Sequence, residues 1–188
     1  MMHFSGCRGR LLIDSCYLAG AQDDEINIHG TYLKVVEKVS SNTLNMRFSH
    51  GQSYGFQAYF TGDTVAFVKA TTMERLSTAS VHSVKRLSDR IWQVKFDREV
   101  PEWLEINHDC VENLTYTPSV EIRNNYFTRT STRGTLVTTP RKVVIEKNTY
   151  YKVGMSAILI EGDAEGWFES GPVNDVLIRE NTFVDCAY

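Results

Sequence analysis

The chain has 188 residues, 42% of them hydrophobic and 23% charged, with a formal net charge of −3, which suffices for one good-sized domain or two small ones around a packed core. The slight acidity, with no basic run longer than two residues, argues against nucleic acid as the main partner, and no apolar stretch approaches the roughly 18 residues a membrane-spanning helix needs. The opening "MMHFSGCRGR" lacks the apolar segment of a secretory signal, so a cytosolic protein or a piece of a longer mature one is expected.

Cys7 and Cys16 open the chain's short list of thiols, with Cys110 and Cys186 far downstream. No C-x-x-C pair occurs, so buried free thiols are expected rather than a zinc site, with a disulfide as the alternative. From Leu11 begins "LLIDSCYL", the first of four segments that align without gaps. The others are "VEIRNNYF" from Val120, "VVIEKNTYY" from Val143 and "VLIRENTF" from Val176. Ile13, Ile122, Ile145 and Ile178 share a column; Cys16, Asn125, Asn148 and Asn181 fall three positions later, and Leu18, Phe127, Tyr150 and Phe183 five later. The register continues through a second strand: Ile26 and Ile28, Thr135 and Val137, Ile158 and Ile160. A unit of about 23 residues with two short strands and an asparagine at the corner reads as one coil of a parallel β-helix, in which stacked coils bury a column of like residues that no single coil could bury alone. A β-sandwich with coincidental "I-x-x-N" strands is the competing arrangement.

Between the first two strands lies "AQDDEINIHG". Asp23 and Asp24 stand in columns that hold Thr132 and Arg133, then Met155 and Ser156, in the following repeats, so these carboxylates are not part of the repeat's structural pattern. Strand alternation sends Ile26 and Ile28 inward and leaves Asn27 and His29 outward, which predicts an exposed cluster of Asp23, Asp24, Asn27 and His29. Paired carboxylates supply the acid–base chemistry of glycoside cleavage. They also serve as a solvated turn or a Ca²⁺ site, and His29 could be a structural histidine.

After Gly30 the pattern changes. "TYLKVVEKV", "TLNMRF", "GFQAYF", "DTVAFV", "HSVKRL" and "RIWQVKF" are short alternating runs separated by turn residues, which predicts a small antiparallel β-barrel over residues 31–118. "TTMERLSTA" is the one helix candidate. The repeat then resumes, so residues 1–30 and 119–188 are read as β-helix coils. A shorter insertion, "GDAEGWFESGPVND" (residues 162–175), carries Asp163, Glu165, Trp167 and Glu169 at the place in the coil where the barrel departs from the first repeat. Insertions on one face of a solenoid usually build its binding face. Trp167 offers an aromatic face for the C–H side of a pyranose, or a plug for a gap.

"AQDDEINIHGTYLKV" resembles the "DD-x-x-N-x-HG-T-Y" stretch of the α-1,3-galactosidases of glycoside hydrolase family 110, and "AILIEGDAEGWFESGPVNDVLIRENTF" is similar to a second stretch of that family. The resemblance covers nearly the whole chain. It implies an all-β fold, a right-handed parallel β-helix interrupted by a small antiparallel β-barrel. It also implies hydrolysis of terminal α-1,3-linked galactose with inversion, a galactose-terminated glycan as partner, no cofactor and no metal, and export by bacteria to the periplasm or beyond. Asp23 and Asp24 match the family's adjacent aspartates, at least one of which would act as general base. Asn27, His29, Asp163, Trp167 and Glu169 would bind the sugar. The family's proteins are longer and have earlier coils that add another acidic residue. Asp14, the one carboxylate upstream, shares a column with Arg123, Glu146 and Arg179 and is not read as the acid. The chain therefore reads as a fragment or short relative, with weak or no activity alone. A non-catalytic carbohydrate-binding module is the runner-up, and a structural solenoid the third class. Open coil edges would favour self-association.

Overall fold

The computed structural model describes residues 1–188, with eighteen strands and no helix. The chain divides into two units. The first comprises Met1–His29, Thr117–Gly162 and Gly171–Tyr188; the second comprises Gly30–Tyr116 and Asp163–Ser170.

In the first unit every pairing is parallel, and the first three repeats each contribute one strand to each of three ladders. Arg10–Asp14, Ser119–Arg123, Lys142–Glu146 and Asp175–Arg179 form one, with Ile13, Ile122, Ile145 and Ile178 in register. Tyr17–Ala19, Tyr126–Thr128, Thr149–Tyr151 and Thr182–Val184 form the second, with Leu18, Phe127, Tyr150 and Phe183 in register. The third runs from Met2–Ser5 through residues 26–29 and Thr135–Val137 to Ile158–Leu159. The inward columns make the core. Its aromatic rungs stack, Phe127 on Tyr150 at 4.7 Å and Tyr150 on Phe183 at 5.3 Å.

The corners explain why the repeat needs its asparagines. Ser15, Asn124, Lys147 and Glu180 all have positive φ, and a second corner repeats this at Gly20, Arg129, Lys152 and Asp185. Such a turn lifts the following amide out of the ladder, and a buried amide must find another acceptor. Asn125 Oδ1 accepts from the Cys16 amide at 2.9 Å, Asn148 Oδ1 from the Asn125 amide at 3.0 Å, and Asn181 Oδ1 from the Asn148 amide at 2.9 Å. Each asparagine Nδ2 donates back to the carbonyl of Ile13, Ile122 or Ile145.

The second unit is a closed antiparallel barrel. The strand that begins at Ile26 continues to Ser40 and pairs with Thr43–Arg47. The order then runs through Ile91–Phe96, Glu74–Arg86, Thr64–Lys69 and Cys110–Asn113 before returning to Tyr32–Lys34. Closure leaves no free sheet edge. Alternate residues, among them Leu33, Val35, Leu44, Met46, Phe67, Val94, Phe96 and Val111, fill the interior.

Four expectations need correction. "TTMERLSTA" is not helical: the Thr72 and Met73 amides donate to the Lys69 carbonyl in a tight turn, and residues from Glu74 onward pair with Thr64–Lys69. "GFQAYF" forms no strand; its Tyr59 is buried and donates its hydroxyl to the Val111 carbonyl at 2.7 Å. Residues 163–170 group with the barrel rather than with the repeats, because Glu169 and Ser170 pair with Thr31 and Gly30 and the Tyr32 amide donates to the Phe168 carbonyl at 3.0 Å. All four cysteines are free thiols, but only Cys110 is fully buried; burial pushes it up to about 12.

Candidate functional site

The aspartates sit in the loop between the strands Tyr17–Ala19 and Ile26–Ser40. That loop is stitched to residues 129–134 of the next repeat. Thr130 Oγ1 donates to the Ala21 and Asp23 carbonyls at 3.0 and 3.3 Å, and the Glu25 and Ile26 amides donate to the Arg133 and Gly134 carbonyls at 3.2 and 3.1 Å. Gly134 is required by space: a Cβ there would lie 2.7 Å from both the Ala157 carbonyl oxygen and the Tyr150 ring.

The two adjacent carboxylates are not equivalent. Asp23 is exposed, and its Oδ1 accepts the Asp24 amide at 2.9 Å. Asp24 is only 3% exposed. Its Oδ1 accepts the Arg133 amide at 3.2 Å, and Arg133 Nη1 reaches both its oxygens, at 3.1 and 3.0 Å. The expected exposed cluster is thus corrected. Asp24 is covered by its ion pair, Asn27 is half-buried, and His29 is buried. Ile26 and Ile28 do point into the core, so Asn27 and His29 leave on the opposite face; the parallel strand Met2–Ser5 lies beside theirs in the same ladder, with His3 in register with Asn27, so His3 projects from that face too. His3 and His29 meet there, Nε2 to Nε2 at 2.7 Å, one imidazole donating to the other.

Glu25 has no counterpart in the expected site. It is fully buried, and neither carboxyl oxygen makes a hydrogen bond of ordinary geometry. Burial raises it to about 7, against the opposing pull of the N-terminal ammonium and the Thr128 amide.

In the barrel unit, Asp163 shapes its own loop. Its carboxylate accepts the Glu165 amide at 2.7 Å and the Gly166 amide at 2.9 Å, and also the Trp167 amide. Burial pushes this carboxyl upward, but the amides of Gly166, Glu165, Trp167 and Phe168 together outweigh it and hold the group below the usual carboxylate range. Trp167 projects from this loop more than half exposed, its indole 4.2 Å from the His50 ring. Arg90 braces the neighbouring loop, donating to the His50 and Gly51 carbonyls at 2.8 and 3.0 Å and lying 3.6 Å over Tyr54. Glu169 is half-buried in its short pairing with Thr31.

Arg133, Glu25, His3 and His50 were not among the expected site residues. Arg133 carried a readable signal, since it occupies the column of Asp24 one repeat later, where stacked strands bring opposite charges together.

Comparison with known proteins fits this layout. A family profile described as GLAA-B beta-barrel domain II matches residues 43–111, within the barrel. Along its full length the chain is 72% identical to an alpha-1,3-galactosidase A of Bacteroides fragilis, of which it covers 31%. It is 44% identical over 184 residues to an alpha-1,3-galactosidase A of Bacteroides thetaiotaomicron, covering 97% of this chain and 32% of that protein. It is 37% identical over 183 residues to an alpha-1,3-galactosidase B of Akkermansia muciniphila, covering 97% and 23% respectively. The chain is therefore similar, from end to end, to one segment of the alpha-1,3-galactosidases, and it spans about a third of the length of the curated relatives it matches.

Proposed function

We propose that this chain forms part of a glycoside hydrolase that removes terminal α-1,3-linked galactose from glycans with inversion, and that its repeat unit is a stretch of right-handed parallel β-helix. The observation that carries the reading is 72% identity across the whole chain to a protein named alpha-1,3-galactosidase A. The three parallel ladders support the solenoid. The chemistry rests on the aspartate loop. In an inverting hydrolase one carboxylate takes a proton from the attacking water while a second carboxyl, about 6.5–9.5 Å away, protonates the leaving oxygen. Asp23 and Asp24 supply the carboxylate on the water side. In the repeat unit, Asn27 and His29 carry an amide and an imidazole, groups that bond sugar hydroxyls; in the barrel unit, taken by itself, Trp167 and Glu169 carry an aromatic face and a carboxylate. Asp163 sets the shape of the Trp167 loop, since its oxygens are taken by backbone amides.

The test replaces the matching segment of the Bacteroides fragilis relative by this chain and follows galactose release from p-nitrophenyl α-galactoside and from an α-1,3-linked galactosyl disaccharide. Asp23→Asn should lower kcat roughly 10²–10⁴-fold, as expected for loss of a general base, with the fold retained. An inactive parent chimera, or an Asp23→Asn chimera of unchanged rate, refutes the reading.

A further inference from the structure

We infer that Arg133 is the residue that allows Asp23 and Asp24 to stand side by side: its guanidinium balances the charge of Asp24 and so leaves Asp23 as the water-facing carboxylate of the pair without a counter-ion. The assignment of Asp23 as the base rests on the function proposed above; the separation of charges rests on geometry alone. Two neighbouring carboxylates without a counter-ion disfavour each other's ionisation. Here the register breaks that symmetry. Thr135 pairs with Ile26, so two and three residues earlier Arg133 falls opposite Asp24 and Thr132 opposite Asp23. Asp24 thus receives a cation and a backbone amide from one residue, with its side chain 5% exposed. Asp23 is stacked on a neutral residue and makes no ion pair, and its one side-chain hydrogen bond fixes Oδ1 on the Asp24 amide.

The other charged groups around this loop do not replace Arg133. Glu25, next in the chain, is buried in the core and is the group that feels the Met1 ammonium. His3, on Met2–Ser5, and His29, on the strand after the loop, pair with each other. Arg133 is therefore a positioning residue, acting on the water-attack carboxylate through Asp24.

The experiment titrates the aspartate side-chain carboxyls of the 188-residue chain by carbon-13 NMR, without ligand. In Arg133→Gln, the first proton taken up by the Asp23–Asp24 pair should enter about one pH unit or more above the parent, the size of coupling that splits a carboxylate pair into two steps. Arg133→Lys should restore most of the parent behaviour, and adding Asp24→Asn to Arg133→Gln should return Asp23 to one step at the parent's pH. Amide shifts of the Asn125–Asn148 corner report that each variant is folded. In the chimera, Arg133→Gln should move the acid limb of kcat/KM upward by a matching amount. An unmoved titration in Arg133→Gln overturns the inference whatever the activity, as does a fall in kcat at every pH with the acid limb fixed, which is the mark of a merely structural role. A shifted titration in a chain whose parent chimera is inactive upholds the charge separation and refutes the hydrolase reading.

Discussion

Replacing Asn148 by leucine probes the device on which the repeat unit depends. Asn148 is 1% exposed. Its Oδ1 accepts the Asn125 amide at 3.0 Å and Asn125 Nδ2 at 2.9 Å, and its Nδ2 donates to the Ile122 carbonyl at 2.9 Å and to Asn181 Oδ1 at 3.0 Å. Leucine removes all four bonds and strands the Asn125 amide, which no strand partner can reach at that corner. A buried donor left unsatisfied costs about 1–3 kcal/mol, and each of the other bonds is worth roughly 1 kcal/mol net. Burial of the larger apolar side chain returns about 1–2 kcal/mol, so the expected loss is about 3 kcal/mol. Asn148→Asp is a matched control of equal size. It keeps the acceptor for the Asn125 amide but sets an oxygen against the Ile122 carbonyl and Asn181 Oδ1, and it too should destabilise. All three tryptophans, Trp92, Trp103 and Trp167, lie in the barrel unit. Unfolding of the repeat unit is therefore read by amide hydrogen exchange in urea rather than by tryptophan fluorescence. A leucine variant within about 0.5 kcal/mol of the parent, the range of an ordinary surface substitution, would refute the asparagine ladder as a structural necessity.

Glu25 makes the repeat unit pH-sensitive. Its folded value, about 7, lies above the ordinary 4.5, so its carboxyl costs nothing below about pH 4.5, costs more as the pH rises through 7, and at pH 8 costs roughly 3 kcal/mol. Glu25→Gln should therefore gain stability over the parent between pH 5 and pH 8 in urea titrations; a difference constant with pH would discard the argument. In the barrel, the wholly buried Glu112 carboxylate is held by Arg75 at 2.7 and 2.9 Å. Arg75→Met should cost about 3–5 kcal/mol by leaving that charge unpaired, read by Trp92 fluorescence in urea. Adding Glu112→Gln should recover most of it, and a single-variant loss under about 1 kcal/mol would count against the pair.

The His3–His29 contact and the burial of Asp24 show how a site escapes local reading. Alternation along "INIHG" placed Ile26 and Ile28 inward and Asn27 and His29 on the other face, as the structure has them. What alternation cannot state is what lies over that other face. Met2–Ser5 pairs alongside residues 26–29, and His3, on the same face, becomes the neighbour of a residue 26 positions away.

The sequence by itself determined the repeat columns, because a stacked architecture writes the same requirement at the same position each time: an isoleucine inside, a side-chain amide at the corner, an aromatic rung beyond it. Only the tertiary structure decided which aspartate faces water, because that choice is made by the guanidinium of Arg133, 109 positions away. It likewise decided that residues 163–170 join the barrel through a two-residue strand pairing, and that Asp163 turns its oxygens inward to its own loop. Local pattern sets which face a side chain leaves by. Long-range contacts between opposite charges, and between backbone groups that must be satisfied, decide what it meets there.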